Sequence, residues 1–110
     1  MYIPIVHADD ADIYIEEVTF LAVQGHASEG TNYWTVTLVS GPLGLASESP
    51  VSSTSIGGQN TAVVIKTTTD FTLTTNVVSK DNGLYLKCDP NHGSSAQKTF
   101  GAVARYRRKA

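Results

Sequence analysis

Apolar side chains in this chain recur at every second position, and convincing three-to-four spacing of a helix face is absent. A half-buried strand requires that alternation, because successive side chains of an extended backbone point to opposite faces. The pattern is clearest in Tyr33–Ser40, where Trp34, Val36 and Leu38 share one face and Tyr33, Thr35, Thr37 and Val39 the other. The Trp34 face is the expected core side, with the threonines toward water or a neighbour. In Asp12–Val23 the alternation changes phase: Ile13 and Ile15 lie on one, Val18, Phe20 and Ala22 on the other. The slip falls at Glu16-Glu17, and a bulge or bend there would return both sets to one core face.

The remaining segments follow the same rule. Tyr2–Val6 reads as a first strand, pushed toward a sheet edge by Pro4, which has no amide hydrogen. Gly25–Asn32 is a turn-rich connection, and Gly41-Pro42-Leu43-Gly44 breaks the pattern after the third strand. Leu45, Ala46 and Val51 suggest a short edge piece before the polar loop Ser52–Asn60. Thr61–Thr67, with Ala62, Val63, Val64 and Ile65 in succession, predicts a strand buried on both faces, and Asp70–Thr75 alternates Phe71 and Leu73. Asn82-Gly83 predicts a tight turn into Leu84–Cys88, where Leu84, Leu86 and Cys88 share one phase. In the last strand, Lys98–Arg107, Phe100, Ala102, Ala104 and Tyr106 take one face and Thr99, Val103, Arg105 and Arg107 the other. Seven or eight short strands predict one all-β domain over residues 1–110. The expected architecture is an antiparallel β-sandwich, jelly-roll-like, with an N-terminal edge strand in residues 1–8 and a basic end at 105–110.

At 110 residues the chain has room for a single core. Its net charge of −2 gives no overall field favouring nucleic acid or an anionic membrane. The distribution is more telling than the sum. Residues 1–55 hold seven Asp and Glu and no Lys or Arg, whereas residues 56–110 hold three Asp against eight Lys and Arg. Either the halves neutralise one another within the fold, or acidic and basic edges meet between subunits and set their register. No targeting signal is expected at the start, and no apolar run approaches the ~20 residues of a membrane helix.

The residues offer little site chemistry. His7, His26 and His92 stand in or beside loops without ligands at metal-binding spacing; Asp9, Asp10 and Asp12 near His7 lack the order of a calcium loop. No serine sits in a nucleophile elbow, and no glycine pattern matches a phosphate cradle. The lone Cys88 reads as a buried thiol, and Glu16 and Glu17, adjacent in a strand, do not read as a paired catalytic dyad. We therefore expect no enzyme, no catalytic residue, no cofactor and no metal. The densest charge feature is Arg105-Tyr106-Arg107-Arg108-Lys109, suited to forked contacts with carboxylates of a neighbour.

One combination is familiar. It joins Glu29-Gly30-Thr31-Asn32-Tyr33-Trp34-Thr35-Val36-Thr37-Leu38 to Leu45-Ala46-Ser47, then Ser49-Pro50-Val51-Ser52 and the stretch Asn60–Thr67. The ending Gly101-Ala102-Val103-Ala104-Arg105-Tyr106-Arg107 completes it. Across roughly residues 12–107 this resembles a group of small structural proteins of tailed-bacteriophage virions. The resemblance implies a β-sandwich on the outside of the particle, a capsid cement (decoration) protein that stabilises the head. Its partners would be the major capsid protein and its own copies, as a homotrimer, with no nucleic acid and no membrane. It would sit on the capsid surface of the virion after assembly in the host cytoplasm. The protein-interface residues expected on charge are Asp9, Asp10 and Asp12 at one end and Arg105, Arg107 and Arg108 at the other. The alternative is a tail, fibre or host-receptor module that recognises glycan through Tyr33, Trp34 or Tyr85.

Overall fold

A computed structural model of the chain describes residues 2–22, 33–52, 56–57, 66–91 and 100–108. Nine strand segments occupy Tyr2–His7 (β1), Ile13–Ala22 (β2), Tyr33–Pro42 (β3), Ser49–Pro50 (β4), Ile56–Gly57 (β5), Lys66–Asp70 (β6), Val77–Val78 (β7), Asn82–Asn91 (β8) and Phe100–Arg108 (β9). They form two antiparallel sheets. Sheet A runs β1-β8-β3-β4, with β5 also on β3; in sheet B, β2 carries β9 on one side and β6 and β7 on the other. The fold is the expected all-β sandwich.

Between the sheets lies a core of Ile13, Ile15, Val18, Phe20 and Ala22 from β2, Trp34, Val36 and Leu38 from β3, Leu84, Leu86 and Cys88 from β8, and Phe100 from β9. Four aromatic rings tie the layers together. Phe20 meets Phe71 edge-on at 6.2 Å and Phe100 at 5.5 Å; Phe100 in turn meets Trp34 of the opposite sheet, T-shaped, at 5.4 Å. Such geometries add ~0.5–1.5 kcal/mol per pair to the burial of the rings.

The phase slip in β2 is a bulge. Ile15 pairs with Tyr106 and Glu17 with Arg105, so Glu16 is the extra residue. Both glutamates are exposed while Ile15 and Val18 on either side are buried. One inserted residue thus keeps two apolar sets of opposite phase in the same core. Pro4 also stands where expected, in edge strand β1, which pairs with β8 and shifts register between Pro4 and Val6.

Three expectations change. The turn placed at Asn82-Gly83 lies two residues earlier, over Ser79–Asn82, where the Asn82 amide donates to the Ser79 carbonyl at 3.0 Å and Asp81 takes φ 70°. Asn82 and Gly83 already belong to β8. Gly83 is required there for space: a β-carbon would come within 2.9 Å of the Tyr85 ring. Second, the strand predicted over Asp70–Thr75 instead ends at Asp70, and only Leu73 makes an isolated bridge, to Ser52. Between Phe71 and Asn76, which both still bond β2, the chain detours to the other layer, the Thr74 amide donating to the Val51 carbonyl at 2.8 Å. Third, Val39 and Tyr85, on the outward phase of sheet A, are buried. On the same outward face, Leu45 and Ser47 lie against Gly41, and Glu48 bonds Tyr2 and Lys87. The expected features at Gly25–Asn32 and over residues 61–65 lie outside the described residues.

Candidate functional site: the outer faces and the β2 groove

The six residues singled out on charge fall into five local arrangements, three around the β1–β2 connection and two on β9. Arg108 reaches Asp10 at 3.2 Å, joining the β1–β2 connection to the end of β9. Asp9 contacts His7 Nδ1 at 2.6 Å. Asp12 accepts the Lys80 backbone amide at 2.8 Å, which holds the turn before β8. The acidic start and basic end therefore meet within one chain, and the pairs are exposed.

Arg105 and Arg107 project from the outer face of β9. Arg105 lies opposite Glu17 in register and spans both bulge glutamates, 3.5 Å from Glu17 and 3.8 Å from Glu16. Arg107 lies opposite Tyr14 and stacks its guanidinium over the ring at 4.6 Å. Exposed Val103 and Tyr106 complete the strand's accessible side chains. Exposed ion pairs of this kind contribute only ~0–1 kcal/mol each to stability, so they can exchange partners cheaply.

Beside this array is a groove of roughly 700 Å³, lined by Tyr14, Ile15, Glu16, Leu73, Thr74, Thr75, Asn76 and Arg107. Its origin is topological. β7 pairs with Ile13 and Tyr14, β6 with Thr19–Ala22, and the chain between them detours toward Val51. The bulge at Glu16 faces the gap this detour leaves.

On the opposite side of the sandwich a different cluster forms. Glu48 Oε1 accepts from Lys87 Nζ at 2.6 Å, and Glu48 Oε2 accepts from the Tyr2 hydroxyl at 2.8 Å. The hydrogen bond from Lys87, then that from Tyr2, holds the Glu48 carboxyl below its ordinary range. The same bonds to Glu48 push Tyr2 and Lys87 upward. This cluster pins residues 43–49 across the sheet.

Of the aromatic residues considered for glycan, Trp34 is buried in the core between the sheets and Tyr85 is buried on the outward side of sheet A, so neither presents a ring to a sugar. The Tyr33 side chain, His26 and His92 lie outside the described residues. Cys88 is buried, and that burial pushes its thiol up to about 11, out of reach of thiolate chemistry near neutral pH. Among the described residues no group of three or more His, Cys, Asp or Glu is placed to hold a metal ion, and no helix is long and apolar enough to cross a membrane.

Sequence reasoning missed Tyr14, Thr74, Thr75 and Asn76 as surface-site residues, and Tyr2, Glu48 and Lys87 as a cluster. The first of these was within reach: Tyr14 sits on the outward phase of its strand, as Arg107 does on its own. Comparison with family models, with curated proteins and with solved structures finds no match for this chain.

Proposed function

We propose that the chain is a virion structural protein, a capsid cement module that binds the major capsid protein and its own copies. The observation that carries this reading is the outer face of β9. There Arg105 and Arg107 stand beside exposed Val103, and Arg105 holds Glu16 and Glu17 only in solvent-accessible pairs; Tyr106 and Arg108, on the other phase, are also exposed toward the strand's end, where Arg108 pairs with Asp10. A partner carboxylate can replace an intrachain one at little cost, and an apolar residue among arginines suits the centre of a wet interface. Many copies on a shell gain by avidity, so each contact can be small. The aromatic-stapled core supplies the rigidity such a contact needs. The resemblance of its strand motifs to those of small tailed-phage virion proteins supports the same reading.

The test is charge reversal. Arg105→Glu with Arg107→Glu should lower occupancy on capsids at low salt, and wild-type binding should itself weaken as salt rises. Unchanged occupancy of the double variant at both salt levels would overturn the proposal.

A further inference from the structure

We infer that the groove beside the β2 bulge is a saccharide-binding site. Its volume, roughly 700 Å³, lies within the ~300–1,000 Å³ of small-molecule clefts. Its lining selects the class of ligand. Glu16, in its exposed pair with Arg105, supplies a carboxylate, Arg107 a guanidinium, Asn76 an amide and Thr75 a hydroxyl, while the Thr74 hydroxyl, which donates to the Val51 carbonyl at 3.1 Å, offers an acceptor. The formal charges cancel, so an anion is opposed by Glu16 and a cation by Arg107. A neutral polyol, which donates and accepts at each hydroxyl, can satisfy all of these groups at once.

Two rival occupants fit less well. An extended peptide would need an open strand edge, but the β2 backbone here is already bonded: the Ile15 amide donates to the Asn76 carbonyl at 2.7 Å, and the Val18 carbonyl accepts from the Phe71 amide at 3.1 Å. A purely apolar ligand would strand the polar walls without partners. The stacked Tyr14 ring and Arg107 guanidinium add a flat wall, the shape on which the C–H face of a pyranose lies.

This site is distinct from the glycan surface expected at Trp34 and Tyr85, which is buried. It borders the proposed shell contact and shares Arg107 with it, but Leu73–Asn76, which form its other wall, are not on β9.

The experiment is a titration of the isotope-labelled chain, followed by amide chemical shifts, with methyl glycosides of glucose, galactose, mannose and N-acetylglucosamine. Inorganic phosphate and diglycine serve as controls. At least one glycoside should shift the amides of Tyr14–Glu16 and Leu73–Asn76 saturably. Asn76→Ala and Glu16→Gln should each weaken that binding about threefold to tenfold, one hydrogen bond's worth. Glu48→Gln, in the cluster on the opposite side of the sandwich, should leave it unchanged. Amides outside the groove report whether each variant is folded. If none of the four glycosides moves the groove amides, if phosphate or diglycine moves them equally, or if both groove variants bind as wild type, the inference is wrong.

Discussion

The two outer faces of the sandwich are built from similar strands and end up opposite in character. On sheet A, Val39 and Tyr85 point away from the core yet are buried, and on the same face Ser47 lies against Gly41 while Glu48 bonds Tyr2 and Lys87. On sheet B nothing among the described residues covers β9. Val103 is 58% exposed, and the Arg105 side chain is 67% exposed. The chain spends a loop to cover part of one face and leaves the other as a charged, partly apolar surface beside a polar groove. A face partly covered by its own chain offers less to partners; the bare one is the face to test for binding.

The largest expected effect lies beneath both faces. Phe20 is buried and touches Phe71 and Phe100, so Phe20→Ala should cost ~3–5 kcal/mol, read from denaturant midpoints. A marginal domain would then be largely unfolded.

Next come two glycines, one per face. A β-carbon on Gly41 would fall inside the hard-sphere limit of the Ser47 carbonyl oxygen and 3.0 Å from Leu45 Cδ2, whereas one on Gly101 meets nothing within 4 Å. Gly41→Ala should therefore cost about 1–3 kcal/mol and loosen residues 43–49. Gly101→Ala should stay within ~0.5 kcal/mol of wild type. Equal costs at the two positions would remove the contrast between covered and bare faces.

The flap latch should respond to acid. The folded-state carboxyl of Glu48 titrates below its ordinary 4.5, chiefly because Lys87 donates to it. Its stabilising contribution is therefore complete above that ordinary value and fades as pH falls through the lower folded one. The protection of residues 43–49 against hydrogen exchange, relative to the intrinsic rate at each pH, should fall across that acidic window in wild type. Glu48→Gln should show faster exchange at neutral pH and lose the acid-dependent step. The smallest effect belongs to β9: Arg105→Ala should change stability by less than about 0.5 kcal/mol, since its partners are solvent-accessible.

Alternation made most of the sandwich legible. Trp34, Val36, Leu38, Leu84, Leu86 and Phe100 all face the core as their phase requires, and the Glu16-Glu17 slip reads directly as the bulge. Other features depend on contacts distant in sequence. Asn82-Gly83 carries a strong local turn preference, but Ala8 overrides it: Ala8 donates to the Asn82 carbonyl at 2.9 Å and accepts from Asp81 at 2.6 Å, fixing the turn earlier. The Phe71–Asn76 detour is set by Val51 in the other layer, and the Glu48 cluster joins residues 46 and 39 positions apart. The charges were visible from the start, but which carboxylate each arginine holds became readable only from the register of β2 against β9.

The bare face of sheet B as the binding surface is tested most directly by amide hydrogen exchange on the chain free and bound to capsids. Slowed exchange over Gly101–Arg108, with the 43–49 flap unchanged, is the predicted result. Protection centred on the flap and β1, with β9 exchanging as in the free chain, would contradict it.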